Sequence, residues 1–349
     1  MKRLNYTLFF SLVLLLTSCQ TAMLFTTVDV LRPAQVEFAP EVENLLIVNN
    51  TKVQPEDIGH TIRFFSGQAQ DVSAQADSVS LFALSVLTEE IDNINFFAWT
   101  DLLLYSVNTN TDFNTINPLS RATVVDLCRT FDADAILSLD HIVARSEIQE
   151  YFSADWGFTA FLDVRYESWW SIHYPNRPEV IALHFQDSLF WDSGLHRNRA
   201  QALEMLPRRH DALIDGALFV GQNSLRRFLP FWERSDRFFY NPNNRLMKQA
   251  MDSVVVQNWE AALEIWGQVF ESTGSNRLRA EAANNMAIAS EILGDFGDAL
   301  RYAEASFYIF NARLIRNNAA LMRLTDYIIE LQQRQREILL LNRQLGIEM

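Results

Sequence analysis

From Phe158 to Tyr174 an apolar side chain falls on nearly every second residue: Phe158, Ala160, Leu162, Val164, Tyr166, Trp170, Ile172 and Tyr174. Thr159, Asp163, Arg165, Glu167, Ser171 and His173 lie between them, and only Phe161 and Trp169 interrupt the pattern. A helix repeats its faces about every 3.6 residues, so this stretch can only be a long strand with one buried face. Pro175-Asn176-Arg177-Pro178 then turns the chain. Val180 to Trp191 returns as an antiparallel partner, with Ile181, Leu183, Phe185, Leu189 and Trp191 on one face. Pairing about that turn sets Trp169 opposite His184. A hairpin this long organises a sheet, and the rest of the domain must supply its neighbours.

Those neighbours are legible upstream. Thr27 to Arg32, stopped by Pro33, reads as an edge strand, and Leu45-Leu46-Ile47-Val48 reads as a short buried strand ended by Asn49-Asn50. The Gln-, Ser-, Asp- and Gly-rich stretch to Ala76 reads as a long loop. Asp77 or Ser78 caps a helix with Leu81, Leu84, Thr88, Ile91 and Ile94 on one face. Leu102 to Tyr105 is a candidate strand. Ser120 caps a second helix burying Val124, Leu127, Cys128 and Phe131, and Ala135 to Leu139 is the strand that follows. Arg199 to about Arg237 turns helical, broken at Pro207 and ended by Pro230-Phe231-Trp232, and Asn241-Pro242-Asn243-Asn244 is a linker. The expected fold class is an α+β domain over 27–240, a mixed sheet with helices and a long antiparallel hairpin, followed by an all-α domain over 245–349.

Within 245–310, Ala283, Met286, Ala287, Gly294, Asp295, Phe296, Ala299 and Leu300 resemble the tetratricopeptide pattern: small residues where helices cross, then a Gly-Asp-aromatic turn. Ala250, Asn258, Trp259, Ala262, Leu263 and Trp266 form an upstream copy in which Gln257 stands at the turn glycine. Ser253 and Ser290 replace the aromatic of the first helix in both copies. Repeats of this kind offer a concave groove to a peptide or protein, which the resemblance assigns here to Trp259, Trp266, Asn284 and Asn285. A helix from about Arg313 to Leu345, with Leu324, Leu331, Ile338 and Leu345 spaced by seven, caps the array. A plain helical bundle is the alternative.

The N-terminus supplies an address. Lys2 and Arg3 precede an apolar run from Leu8 to Leu16, the layout of a secretory signal peptide over 1–18. Leu16, Thr17 and Ser18 before Cys19 resemble the bacterial lipobox, which implies a diacylglyceryl group on the Cys19 sulfur and an acyl chain on its amine. No other cofactor is expected. Residues 19–26 then form a lipidated tether. Gln20 lacks the acidic character of an inner-membrane retention signal, so the expected site is the periplasmic face of the outer membrane. With Cys19 acylated, Cys128 has no partner and is expected buried on its helix.

Chemistry is scarce. The formal charge of −14 argues against binding a phosphate backbone, so no nucleic acid partner is expected. His60, His141, His173, His184, His196 and His210 show no metal-ligand spacing. His184, Asp187, Asp192 and His196 could converge at one sheet end, but His184 and Asp187 point to opposite faces of a strand. Glu89 and Glu90 diverge on a helix. No nucleophile elbow, phosphate loop or dinucleotide fingerprint occurs, and no catalytic or metal site is assigned.

The helix leading into Ala133-Asp134-Ala135 and a meander resembles the α/β domain of envelope lipoproteins related to the curli secretion lipoprotein and to peptidoglycan-synthase activators. Over the whole chain, Leu16 to Cys19, Arg32-Pro33-Ala34, Glu43 to Asn50 and Gly294 to Leu300 resemble uncharacterised envelope lipoproteins with C-terminal tetratricopeptide-like repeats. That implies architecture and location, not an activity. The leading expectation is a non-enzymatic scaffold or assembly factor, membrane-bound through its lipid and binding an envelope protein or peptide through the repeat groove and the edge at Thr27 to Arg32. The alternatives are a hydrolase of envelope polymers near His184 and Asp187, and a glycan- or peptide-binding lipoprotein using Trp169.

Overall fold

The computed structural model describes residues 22–110, 112–312 and 318–347. They form two compact units, one over Ala34–Phe231 and one combining the residues before it with those from Trp232 onward. In chain order the first element is strand β1, Ala22–Arg32, which belongs to the second unit.

The sheet unit contains β2 (Asn44–Asn49), β3 (His60–Arg63), β4 (Ala69–Asp71), helix α1 (Val79–Ile94), β5 (Trp99–Leu103), α2 (Arg121–Phe131), β6 (Ala135–Ser153), β7 (Gly157–His173), β8 (Ile181–Asp192), α3 (Arg199–Glu204) and α4 (Arg209–Phe228). The long hairpin is present as expected. β7 pairs antiparallel with β8 from Phe161↔Asp192 to Ile172↔Ile181, and Trp169 faces His184. Strand β6 is far longer than the apolar run Ala135 to Leu139 suggested. It pairs antiparallel with β7 along its length, while its other edge takes β2 at one end and β3 at the other, both parallel. The presumed loop before Ala76 thus contains β3 and β4, which are too short to show a period.

β2 explains its own composition. Leu45 and Ile47 join one core with α1 and α4, while Leu46 and Val48 join a second with Val124 and Cys128 of α2. A strand covered on both faces reads as an unbroken apolar run. Asp134 fixes the start of this strand, its carboxylate accepting from the backbone N–H groups of Glu43 (3.0 Å) and Asn44 (2.8 Å). Helix α1 buries Ala83, Leu84, Leu87 and Ile91, but the expected Leu81 and Ile94 are exposed. The buried face is rotated because α4 crosses closely: a Cβ on Gly221 would lie 2.5 Å from the Ala83 carbonyl oxygen.

The helical unit contains α5 (Arg245–Val255), α6 (Trp259–Ser272), α7 (Asn276–Ile292), α8 (Phe296–Ala312) and α9 (Asn318–Gln344), consecutive helices packing on one another. It also holds β9, Phe231–Asn241, paired with β1 in a two-stranded ribbon. This corrects two expectations. Helix α4 ends at Phe228 and the chain to Asn241 is a strand, not more helix. Thr27 to Arg32 is an edge strand, but of this ribbon and not of the large sheet.

The turns from α5 to α6 and from α7 to α8 repeat one design. Gln257 and Gly294 both have positive φ, at 57° and 84°. Asn258 N–H donates to Ser253 O and Asp295 N–H to Ser290 O, each at 2.9 Å, closing the preceding helix with a Schellman turn. Asn258 and Asp295 then cap the next helix by accepting from Ala261 N–H and Asp298 N–H. Ala262 and Ala299, at the crossings that follow, are fully buried. The small residues are therefore spaced for close helix contact.

Candidate functional site

The residues assigned to partner contact do grip an extended segment, and it is the chain's own β9. Asn285, in the middle of α7, accepts from Tyr240 N–H and donates to Tyr240 O, both at 2.8 Å, as a neighbouring strand would. Asn284 donates to Phe238 O at 3.0 Å. Phe239 stacks on Trp266 at 5.6 Å and on Trp259 at 6.1 Å. Trp266, Asn284 and Asn285 are buried and Trp259 is half-buried, so this part of the groove is filled in cis. All four residues expected to meet a partner thus contact β9 within the chain itself.

Charge locks the strand in place. The Arg237 guanidinium meets both oxygens of Glu291, at 2.8 and 2.7 Å, and Glu330 at 2.8 Å. Its Cζ lies over the Tyr327 ring, 4.8 Å from the centroid. Tyr327 OH and Arg334 also donate to Glu291. The Arg237 and Glu291 side chains are 4% and 0% exposed. Burial lowers the pKa of Arg237, but Glu291 and Glu330 outweigh this and hold it above the ordinary value. Burial likewise opposes ionisation of Glu330, and Arg237 outweighs it, lowering that carboxyl's pKa. From β1, Arg32 adds contacts to Glu233 (2.8 Å), Glu337 (3.1 Å) and Glu330 (3.2 Å). The ribbon's outer edge belongs to β1, which has no second strand beside it among the described residues.

The sheet unit holds a different polar centre. Asp140 is buried at the irregularity where β6 shifts register against β7. It accepts from Asn50 and Ser138 at 2.8 Å and from Ser171 at 2.5 Å, and Ser138 lies 3.3 Å from His173. Asn50 also donates to Asn117 O, tying the loop beyond β5 to the sheet. Burial lowers the pKa of His173 and of His141.

The residues considered for hydrolysis or metal binding do not converge. Asp187 is held by Arg227 (2.9 and 2.7 Å) and Asn223 (2.5 Å). His184 stacks on Trp169 at 4.5 Å, and Trp169 also contacts His141 at 5.1 Å. His196 contacts Ser193 O and Asp192 accepts from Gly194 N–H. Among the described residues no group of three metal-ligating side chains occurs. Trp169, half-buried, thus lies between the His141 and His184 rings. Cys128 is buried, and burial with the Asp134 charge raises its thiol pKa to about 11. Leu16, Thr17, Ser18 and Cys19 lie outside the described residues. No helix among the described residues is long and apolar enough to cross a membrane.

Residues 42–240, more than half of the chain, match the domain of unknown function DUF8603. The chain belongs to the DUF8603 family. A second domain of unknown function, DUF6340, matches residues 248–333. No curated protein matches the sequence. The DUF8603 match extends through β9, so its final strand is the segment seated on the helices of the DUF6340 region. Sequence reasoning missed that role for β9. Its signal was the pair Asn284-Asn285 inside an Ala-rich helix, where amides are disfavoured unless they bind something.

Proposed function

We propose that this DUF8603 protein is a non-enzymatic, lipid-anchored scaffold of the bacterial outer membrane, acylated at Cys19 and facing the periplasm. It binds an envelope protein by adding a strand to the outer edge of β1, and its helices are tetratricopeptide-like repeats that hold the ribbon rigid. The observation carrying this reading is the occupied groove. Asn285, Asn284 and the Arg237 cluster hold β9 on the helices, and β1 presents its outer edge at Thr27 to Arg32 for strand addition.

Crosslinked affinity capture from envelopes tests it, comparing the native chain with Thr27→Lys and with His184→Ala. Lysine at an edge blocks strand addition without entering a core. A stoichiometric envelope protein retained by His184→Ala and lost with Thr27→Lys is the expected result. The reverse pattern would move the activity to the sheet unit. Asp187→Ala is unsuitable as a control, because it would strand Arg227 without its buried partner.

A further inference from the structure

At the start of β1 three consecutive apolar side chains stand open: Met23 is 37% exposed, Leu24 46% and Phe25 71%. Consecutive residues of a strand point to opposite faces, so no single packed partner inside the protein accounts for all three. On α9, Met322 is 66% exposed, and its neighbour Arg323 reaches Met23 Sδ at 3.8 Å and lies over the Phe238 ring at 5.0 Å. The patch is an apolar surface carrying the Arg323 guanidinium, with the carboxylates of Asp236 and Asp326 on its rim.

We infer that this end of the ribbon lies in the interfacial layer of a phospholipid bilayer, with Met23, Leu24, Phe25 and Met322 against the acyl boundary and Arg323 toward the phosphates. The inference rests on the acylation of Cys19 proposed above. Only Gln20, Thr21 and Ala22 separate Cys19 from Met23, so even a fully extended chain places their Cα atoms no more than about 14 Å apart. The acylated residue sits at the boundary of the hydrocarbon, and the headgroup layer above it is about 5–7 Å thick. Strand β1 thus begins within side-chain reach of the membrane. Apolar side chains beside a cation suit that layer, where the alkyl and aromatic parts leave water and the charge meets phosphate. Acylation then does more than tether the protein: it sets the ribbon's starting end against the lipid.

The test uses the full acylated chain in vesicles of phosphatidylethanolamine and phosphatidylglycerol, with photoreactive benzoylphenylalanine replacing Leu24, Phe25 or Met322 one at a time. Val255, 81% exposed at the end of α5, is the control position. Mass spectrometry of the intact protein reports both the acyl chains on Cys19 and any crosslinked phospholipid. Phospholipid adducts at the three positions exceeding the control by roughly tenfold are expected from burial of these side chains in lipid. Acylated protein with adducts no more frequent than at Val255, or with protein adducts in place of lipid, would overturn the inference and leave the anchor standing. Absence of acyl chains would remove both.

Discussion

The two units satisfy their largest buried polar clusters differently. In the sheet unit, the Asp140 charge is surrounded by the neutral donors Asn50, Ser138 and Ser171. In the helical unit, Arg237, Arg334 and Arg32 are set among Glu291, Glu330, Glu337 and Glu233. The first arrangement steadies a loop against a strand irregularity. The second holds together segments that are remote in the chain, Arg32 from Glu337 and Arg237 from Glu291. Long-range clamping by charge is specific, because removing Arg237 takes away the two-oxygen partner of the fully buried Glu291 and leaves it Tyr327 and Arg334 alone.

That contrast sets an order of effects. Arg237→Ala removes the guanidinium that meets both oxygens of the buried Glu291, and the helical unit should lose about 3–5 kcal/mol in denaturant unfolding. A loss below about 1 kcal/mol would mean that water already solvates the cluster. Acid separates the units next. His60 is buried, and burial with the nearby Arg209 charge lowers its pKa from 6.5 to about 4. Its folded state binds the proton less readily than the unfolded one, so its contribution is complete above about 6.5 and fades as the pH falls toward 4, by about 3 kcal/mol at most. The helical unit's Glu330 also has a lowered pKa, but its contribution begins to fade only below its ordinary value of 4.5. Hydrogen exchange followed from pH 7 to pH 4 should show protection falling first in the sheet unit, and His60→Gln should remove much of that difference. Asp140→Ala leaves three donors facing an empty site and should cost about 2 kcal/mol, confined to the sheet unit. Smallest is Ser120→Ala, which deletes the acceptor for Thr123 N–H at the start of α2 and should lower stability by about 1 kcal/mol.

The same contrast marks how far the sequence could be read. The β7–β8 hairpin and the Trp169–His184 pairing were legible because strand periodicity and a turn are local signals. So were the Ser120 cap and the duplicated turns at Gln257 and Gly294. Strand β9 was not, since Glu233, Arg234, Asp236 and Arg237 break its alternation, and the partners that make Arg237 a core residue lie on α7 and α9. The outward-facing Leu81 and Ile94 were misplaced for a similar reason: the buried face of α1 is chosen by the distant Gly221, where a missing side chain lets α4 come close. At the candidate site the four residues Trp259, Trp266, Asn284 and Asn285 were recognised as contact residues. What the sequence could not supply was the identity of the segment they contact.

The ribbon has a consequence for how the protein is made. β1 leaves the ribosome first, yet its partner β9 follows only after the whole of Ala34–Phe231, and the helices that clamp both come last. Until then β1 is an unpaired strand with exposed apolar side chains, the kind of edge on which nascent chains aggregate. Assembly of the sheet unit brings the start of β9 back toward its partner and shortens the loop that must close. Closure of the ribbon therefore waits on the middle of the chain, because the two strands that form it flank Ala34–Phe231.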